Sequence, residues 1–96
     1  MTLHLLSHSP FTSPCLQDCL RLASGNDRLL LLGDGVYAAL DAGLSLQGHP
    51  FAAIYALADD VASRGIPEPL PMAIERIDYE RFVSLCCEAE RTLSWF

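Results

Sequence analysis

The sequence predicts a small three-layer α/β domain with a mostly parallel sheet of four or five strands. Short apolar runs alternate with segments of helical periodicity along all 96 residues. The run Leu29–Leu32 is continuously apolar, which is typical of a strand buried on both faces. Strands that are separated by helices pair in parallel through crossover connections. We therefore expect residues 1–96 to form one domain.

Apolar segments of strand length occur at five places in the chain. Glycine, proline or aspartate residues separate most of them from the segments that follow, as expected for strands that end in turns. The predicted strands are Thr2–Leu6, Arg28–Leu32, Phe51–Leu57, Met72–Ile77 and Arg91–Phe96.

Helix signals fill most of the segments between these strands. Ser13 can cap a first helix that has Pro14 at its first position, and Gly25 is suited to end it. Asp34 can cap a second helix, and Gly65 can end a third. Besides the first, the predicted helices lie at Val36–Leu40, at Asp59–Arg64 and around Tyr79, Phe82, Val83 and Cys86, with a short helix and a loop between Asp41 and Pro50.

The composition predicts association with other chains. Hydrophobic residues make up 51% of the chain and the mean hydropathy is +0.27, which is high for a protein with so much surface per volume. No apolar run approaches the roughly 18 residues of a membrane span. The aromatic pair Trp95-Phe96 would be sticky if exposed, so we expect a packed terminus and an obligate oligomer.

The charges and the cysteines bear on partners and location. Twelve acidic residues face six basic ones, which gives a net charge of −6. All six bases are arginines spread along the chain, so direct binding to nucleic acid is not expected. The residues Met1–Leu6 lack the basic start of an export signal. We therefore expect a cytoplasmic protein without a membrane segment, whose four cysteines are reduced.

Few polar residues form a pattern that predicts chemistry. The sequence Gly33-Asp34-Gly35 lies where a strand ends and a helix begins, and it favours a tight turn over a phosphate site because the rest of a dinucleotide fingerprint is missing. His4 on a buried strand is more typical of a hydrogen-bonded core histidine than of a base. His8 and His49 are expected in loops. We predict no metal and no cofactor.

The four thiols differ in their predicted surroundings. Cys86 and Cys87 are adjacent on a helix, and both are expected to be small buried apolar groups. Cys15 and Cys19 lie four residues apart on the first helix. Cys19 falls at the edge of the apolar stripe, which leaves room for a functional thiol, although the neighbouring Asp18 would raise its pKa.

Taken in order, a set of short motifs resembles the TusB/DsrH family of sulfur-relay subunits over nearly the whole chain. No single motif is diagnostic, but their order and spacing over a chain of this size are specific. The motifs are Leu3-His4, Ser9-Pro10-Phe11, Leu29–Leu32 followed by Asp34–Ala39, Tyr55-Ala56-Leu57, Asp60 with Ala62, Arg64-Gly65, Asp78-Tyr79 with Phe82-Val83, and Ser94-Trp95-Phe96.

The resemblance implies an accessory, non-catalytic subunit of a heterohexamer built from two copies each of three homologous chains. Its partners would be TusC/TusD-like or DsrE/DsrF-like sister subunits together with upstream and downstream sulfur carriers. In the Tus branch such a complex passes persulfide sulfur toward 2-thiolation of the wobble uridine of tRNA. In the Dsr branch similar complexes serve sulfur oxidation.

The catalytic sister subunit in this family carries its persulfide cysteine at the position of Leu57, before an Arg-Gly pair like Arg64-Gly65. Leucine cannot hold sulfur, so the resemblance favours a chain that supports a neighbour's site. Cys19 falls where DsrH-type members have a cysteine, and it is the candidate catalytic residue if this chain carries sulfur itself. Both hypotheses, accessory subunit and thiol sulfur carrier, remain open from the sequence.

Overall fold

The strands of the chain lie side by side in one five-stranded sheet in which every neighbouring pair is parallel. The structure, a computed structural model, describes residues 1–71 and 73–95. The spatial order is β4-β3-β2-β1-β5. The strands are β1 (Thr2–Leu6), β2 (Arg28–Leu31), β3 (Ala53–Leu57), β4 (Ile74–Ile77) and β5 (Arg91–Trp95). The predicted α/β class and parallel sheet are confirmed.

Helices cover both faces of the sheet, but unequally. They are α1 (Cys15–Leu22), a 3₁₀ helix (Gly33–Asp41), α2 (Ala42–Ser45), α3 (Ala58–Ser63) and α4 (Tyr79–Glu88). One core combines side chains from α1, the 3₁₀ helix and α3 with alternate residues of the strands. The other core lies on the opposite face, where Leu85 of α4 packs with Leu3, Leu30 and Tyr55. The three layers predicted from the sequence are therefore present.

The central strand shows why a continuous apolar run is needed. Leu29, Leu30 and Leu31 are each 0% exposed. Leu29 and Leu31 belong to the first core and Leu30 to the second, so successive side chains of β2 point to opposite faces. Both faces must be apolar because helices cover both of them.

The first helix differs from its prediction at both ends. It begins at Cys15, whose backbone N–H donates to the Ser13 hydroxyl at 3.2 Å. It ends at Leu22 because Ala23 has extended backbone angles. Gly25 does not have the left-handed conformation predicted for a helix-ending glycine, whereas Gly65, with a φ of 65°, ends α3 as predicted.

The segment after β2 is a 3₁₀ helix rather than an α-helix capped by Asp34. Asp34 lies within that helix and makes no capping hydrogen bond, because its carboxylate binds Arg64 instead. The fourth helix, by contrast, has a side-chain cap: Asp78 accepts a hydrogen bond from the backbone N–H of Arg81 at 2.8 Å.

The remaining strand boundaries shift by one or two residues. β2 ends at Leu31 and β3 begins at Ala53. The predicted first residue of the fourth strand, Met72, and the terminal Phe96 lie outside the described residues. Trp95 is half-buried and packs against the first core, which confirms a packed terminus as far as the description extends.

Several large apolar side chains remain exposed on the described surface. They are Phe11, Leu22, Leu40, Leu44, Tyr79, Val83 and Leu93. None of the helices in residues 1–71 and 73–95 has the length and apolar character that a bilayer span requires.

Candidate functional site

The carboxyl edge of the sheet brings together one cation and two carboxylates, which we call the edge cluster: Asp34, Asp60 and Arg64. Arg64 Nε donates to Asp34 Oδ1 at 2.8 Å, and Arg64 Nη1 donates to Asp60 Oδ1 at 3.2 Å. Asp34 follows β2, whereas Asp60 and Arg64 follow β3, and parallel strands end at the same edge. The hydrogen bond to Asp34, together with both negative charges, raises the pKa of Arg64.

Two glycines hold the turn after β2 against this cluster. The backbone N–H of Gly33 donates to Asp60 Oδ2 at 2.8 Å, and Gly33 has a φ of 53°. A Cβ on Gly35 would clash with the backbone oxygen of Leu6, so only glycine fits there. The sequence Gly33-Asp34-Gly35 thus forms the predicted tight turn. The backbone N–H of Gly33 is already hydrogen-bonded to the carboxylate of Asp60 in the same chain.

Leu57 closes β3 at the same edge, immediately before α3 begins. Its side chain is 7% exposed, and no cysteine lies between Cys19 and Cys86 in the sequence. The end of β3 therefore carries no sulfur, and the arginine of the edge cluster is bound by carboxylates of its own chain.

The candidate thiol, Cys19, lies inside the core. It is 0% exposed, and its side chain lies on the face of α1 that packs in the first core. Burial, and secondarily the negative charge of Asp27, raises the pKa of Cys19 to about 12. The edge position expected for this residue is therefore wrong. Asp18, expected to act on the thiol, instead pairs with Arg21 at 3.2 Å on the exposed side of the helix.

The other thiols also differ from one another. Cys15 is buried in the first core, and Cys86 is half-buried against the second core. Burial and the neighbouring Cys87 raise the pKa of Cys86. Cys87 is exposed, which contradicts the prediction that it is buried. The reason is geometric: adjacent residues on a helix point about 100° apart, so one of the pair faces solvent.

A buried polar group, the core network, joins Asp27, His4 and Trp95. Asp27 Oδ2 lies 2.8 Å from His4 Nε2, and Trp95 Nε1 donates to His4 Nδ1 at 3.0 Å. The indole N–H can only donate, so Nδ1 is the accepting nitrogen and the ring proton of the neutral histidine is on Nε2. His4 is 1% exposed, which confirms the predicted core histidine.

The carboxylate of the core network is ionised in spite of its surroundings. Burial alone would raise the pKa of Asp27, but hydrogen bonds from His4 and from the backbone of Ser24 and Thr2, with the attraction of His4, lower it below its ordinary value. The sequence gives no sign of this contact, because it depends on the parallel alignment of β1 with β2, which places the residue before Arg28 beside the start of β1.

A cleft of about 230 Å³ opens between the loop after β1 and helix α2. Its wall mixes apolar and polar groups, and Phe11 and Leu44 at its rim are both largely exposed. The lining residues are Pro10, Phe11, Ser13, Leu16, Gln17, Asp41, Leu44 and Ser45. They include a single ionisable side chain, Asp41, so the cleft has the character of a contact surface rather than of a catalytic pocket.

Comparison with known proteins identifies the family. The family model described as DsrH like protein matches residues 8–92. The chain belongs to the DsrH-like family. Among curated relatives, Protein TusB of Enterobacter sp. (strain 638) is 35% identical over 95 residues, covering 97% of this chain and 99% of the relative. Protein TusB of Yersinia pestis (strain Pestoides F) is 38% identical over 96 residues with the same coverage.

Solved structures support the α/β fold. Protein Tm0979 from Thermotoga maritima matches with a TM-score of 0.70 and 28% identity, covering 94% of this chain and 95% of that one. The ychN protein from E. coli matches with a TM-score of 0.73, covering 99% of both chains, and at 20% identity it speaks for the fold alone. The resemblance to the TusB/DsrH family drawn from the sequence is confirmed.

Proposed function

We propose that this chain is an accessory, non-catalytic subunit of a complex that passes persulfide sulfur between carrier proteins. Membership of the TusB/DsrH family supports a role as a sulfur-relay subunit. The observation that carries the accessory role is the carboxyl edge of the sheet. There, Leu57 occupies the end of β3, and the arginine of the edge cluster is bound by its own carboxylates.

The chemistry of persulfide transfer explains why this observation matters. The attacking group in sulfur exchange is a thiolate, which must be reachable by the incoming carrier. A thiolate is favoured next to a free cation and disfavoured next to carboxylates. The edge of this chain has no thiol and a neutralised arginine, so it can shape or contact a neighbour's site without supplying the reacting sulfur.

Assembly with homologous sister chains is part of the proposal. The exposed side chains on different elements, such as Phe11, Leu44 and Tyr79, supply apolar surface for contacts between subunits. We propose a heterohexamer with two copies of each of three related chains, located in the cytoplasm. Its sulfur would pass from an upstream to a downstream carrier protein for 2-thiolation of the wobble uridine of tRNA. A net charge of −6 fits delivery through proteins rather than direct contact with tRNA.

The alternative proposal is a sulfur carrier that acts through Cys19 in a DsrH-type complex of sulfur oxidation. This alternative is supported by the position of Cys19, which falls where DsrH-type members of the family have a cysteine. Its burial and its raised pKa count against it, because a carrier would have to reach the sulfur through α1 or the sheet.

The two proposals are separated by incubating the complex, purified with its sister subunits, with a persulfidated donor protein. Intact-mass and peptide mass spectrometry then locate added sulfur. We expect no stoichiometric adduct on Cys19 and nearly unchanged sulfur transfer in the Cys19→Ser variant. The cysteine of the sister subunit should be indispensable for transfer.

The matched control is Cys87→Ser, which removes the exposed thiol. A sulfur that appears only on Cys87, without any effect of its removal on transfer, is surface labelling. A stoichiometric adduct on Cys19, with loss of transfer in Cys19→Ser but not in Cys87→Ser, would make this chain a carrier and end the accessory proposal.

A further inference from the structure

The core network has no part in the proposed relay, yet it is the most buried polar group among the described residues. Buried polar and charged residues in that part of the chain are His4 and Asp27. The network links strand β1, the turn before β2 and the end of β5, so it spans the edge of the sheet at which β5 lies.

Strand β5 has few side-chain anchors. Arg91, Thr92, Leu93 and Ser94 are all exposed. Trp95 is the half-buried residue at the end of the strand, where it packs against the first core and donates its indole N–H to His4. The indole and imidazole rings also stack, with centroids 6.0 Å apart. The side-chain hydrogen bond at the end of β5 therefore goes to one imidazole, in addition to the backbone pairing of β5 with β1.

We propose that the core network is a proton-sensitive latch for the end of β5. The neutral imidazole donates its Nε2–H to Asp27, and the lone pair of Nδ1 accepts the hydrogen bond from the indole N–H of Trp95. A proton taken from solvent onto Nδ1 converts the acceptor into a second donor, so the indole N–H loses its partner. The imidazolium keeps its bond to Asp27 and gains an ion pair, and Trp95 swings away from the first core.

Among residues 1–71 and 73–95, the groups that face the imidazole come from the turn before β2, from α1, from β2 and from the segment before β3. Asp27 faces Nε2 from the turn before β2, and it is ionised. Cys19 from α1 lies near Asp27 as a protonated thiol. In the segment before β3, the ring of Phe51 lies edge-on to the imidazole of His4, with the two ring centroids 5.7 Å apart. The ring of His49 stacks on the ring of Phe51. The flanking strand β2 places Leu29 beside His4.

The chain contains one tryptophan, so the latch has its own optical probe. The experiment follows tryptophan fluorescence of the full chain from pH 8 to pH 4, with far-UV circular dichroism at each point. We expect a reversible shift of the emission to longer wavelength while the secondary structure is unchanged. Relative to free indole at the same pH, exchange of the indole N–H should become about fivefold faster or more, the change expected for loss of one hydrogen bond.

Variants assign the response to one group. His4→Asn keeps an acceptor near Nδ1 but cannot titrate, so the shift should disappear. Asp27→Asn also cannot titrate, yet it retains His4, so the shift should persist. His8→Asn and His49→Asn are matched controls, and both should respond as the parent does.

A measurement on the unaltered chain keeps the test independent of variants. Nitrogen-15 spectra at pH 8 should show the His4 proton on Nε2. The latch would be overturned by a proton on Nδ1 at pH 8 or by a flat fluorescence profile. It would also be overturned by a response that survives in His4→Asn, or by a shift that coincides with loss of the circular dichroism signal.

Discussion

The core network and the edge cluster each join three polar side chains and link separate elements of the fold, but they differ in exposure to water. In the core network the side chains of His4 and Asp27 are 2% and 12% exposed, whereas in the edge cluster the Asp34 side chain is 60% exposed. Water can solvate the members of an exposed ion pair when one is removed, but it cannot reach a buried member. Removing one member should therefore cost more stability in the core network than in the edge cluster.

The largest effect on stability is expected for Asp27→Ala, which removes the carboxylate of the core network. The change leaves His4 Nε2 without an acceptor in a buried place and removes the part-buried hydrogen bond from the backbone N–H of Ser24. We expect a loss of about 3 to 5 kcal/mol in the free energy of unfolding, measured by urea denaturation, because the partners of a buried charge cannot recruit water.

Asp27→Asn is the matched control for this substitution. The amide oxygen can still accept from His4, so the loss should be clearly smaller than for alanine. An alanine variant within about 1 kcal/mol of the parent, the value of an exposed pair, would remove the distinction between the two clusters.

The second prediction concerns the thiol beside the core network. Folding raises the pKa of Cys19 from 9.0 to about 12, so the unfolded chain loses this proton first as the pH rises. The stabilising contribution of the protonated thiol is complete below about pH 9 and is lost progressively up to pH 12. At pH 10.5 the free energy of unfolding should be about 2 kcal/mol lower than at pH 8 because of this group.

The chain has no lysine, but the pKa of Cys86 is raised as well, so variants are needed to assign the alkaline effect to Cys19. Denaturation curves at pH 8 and 10.5 should differ in the parent and in Cys87→Ala, while the difference should shrink in Cys19→Ala. An equal difference in all three proteins would show that Cys19 is accessible to water in the folded state.

The smallest effect is expected at the edge cluster. Arg64→Met should change the free energy of unfolding by no more than about 1 kcal/mol, because the side chain of its partner Asp34 is 60% exposed and ion pairs that water can reach are weak. Arg76→Met, which removes the exposed pair with Glu68, serves as the reference. A loss above about 3 kcal/mol for Arg64→Met alone would place the edge cluster with the core network as a structural element.

The sequence predicted the architecture because each strand carries its own apolar pattern. Leu29, Leu30 and Leu31 are buried on alternate faces, as a continuous apolar run requires. One wrong prediction concerns a residue whose contacts are set by a distant partner. Asp34 caps no helix because Arg64, thirty residues away, binds its carboxylate.

The candidate site was predicted less completely. The tight turn at Gly33 and Gly35 and the absence of sulfur at Leu57 can be read from the sequence. The contact of His4 with Asp27 cannot, because it depends on the register of two parallel strands. The depth of Cys19 was misjudged for a related reason: helical spacing gives the direction of a side chain, but not how far the loops around the helix extend over it.

The pairing of β1 with β5 has a consequence for how the chain reaches its native state. The hydrogen bond from Trp95 to His4 joins residues 91 positions apart. Contacts between residues so distant in sequence form slowly, since the entropy of closing the intervening loop is lost before the contact stabilises it. We expect β1, β2 and β3 to assemble early and β5 to dock late. The same strand should be among the first to detach in local unfolding, well below the free energy that opens the leucine-rich centre.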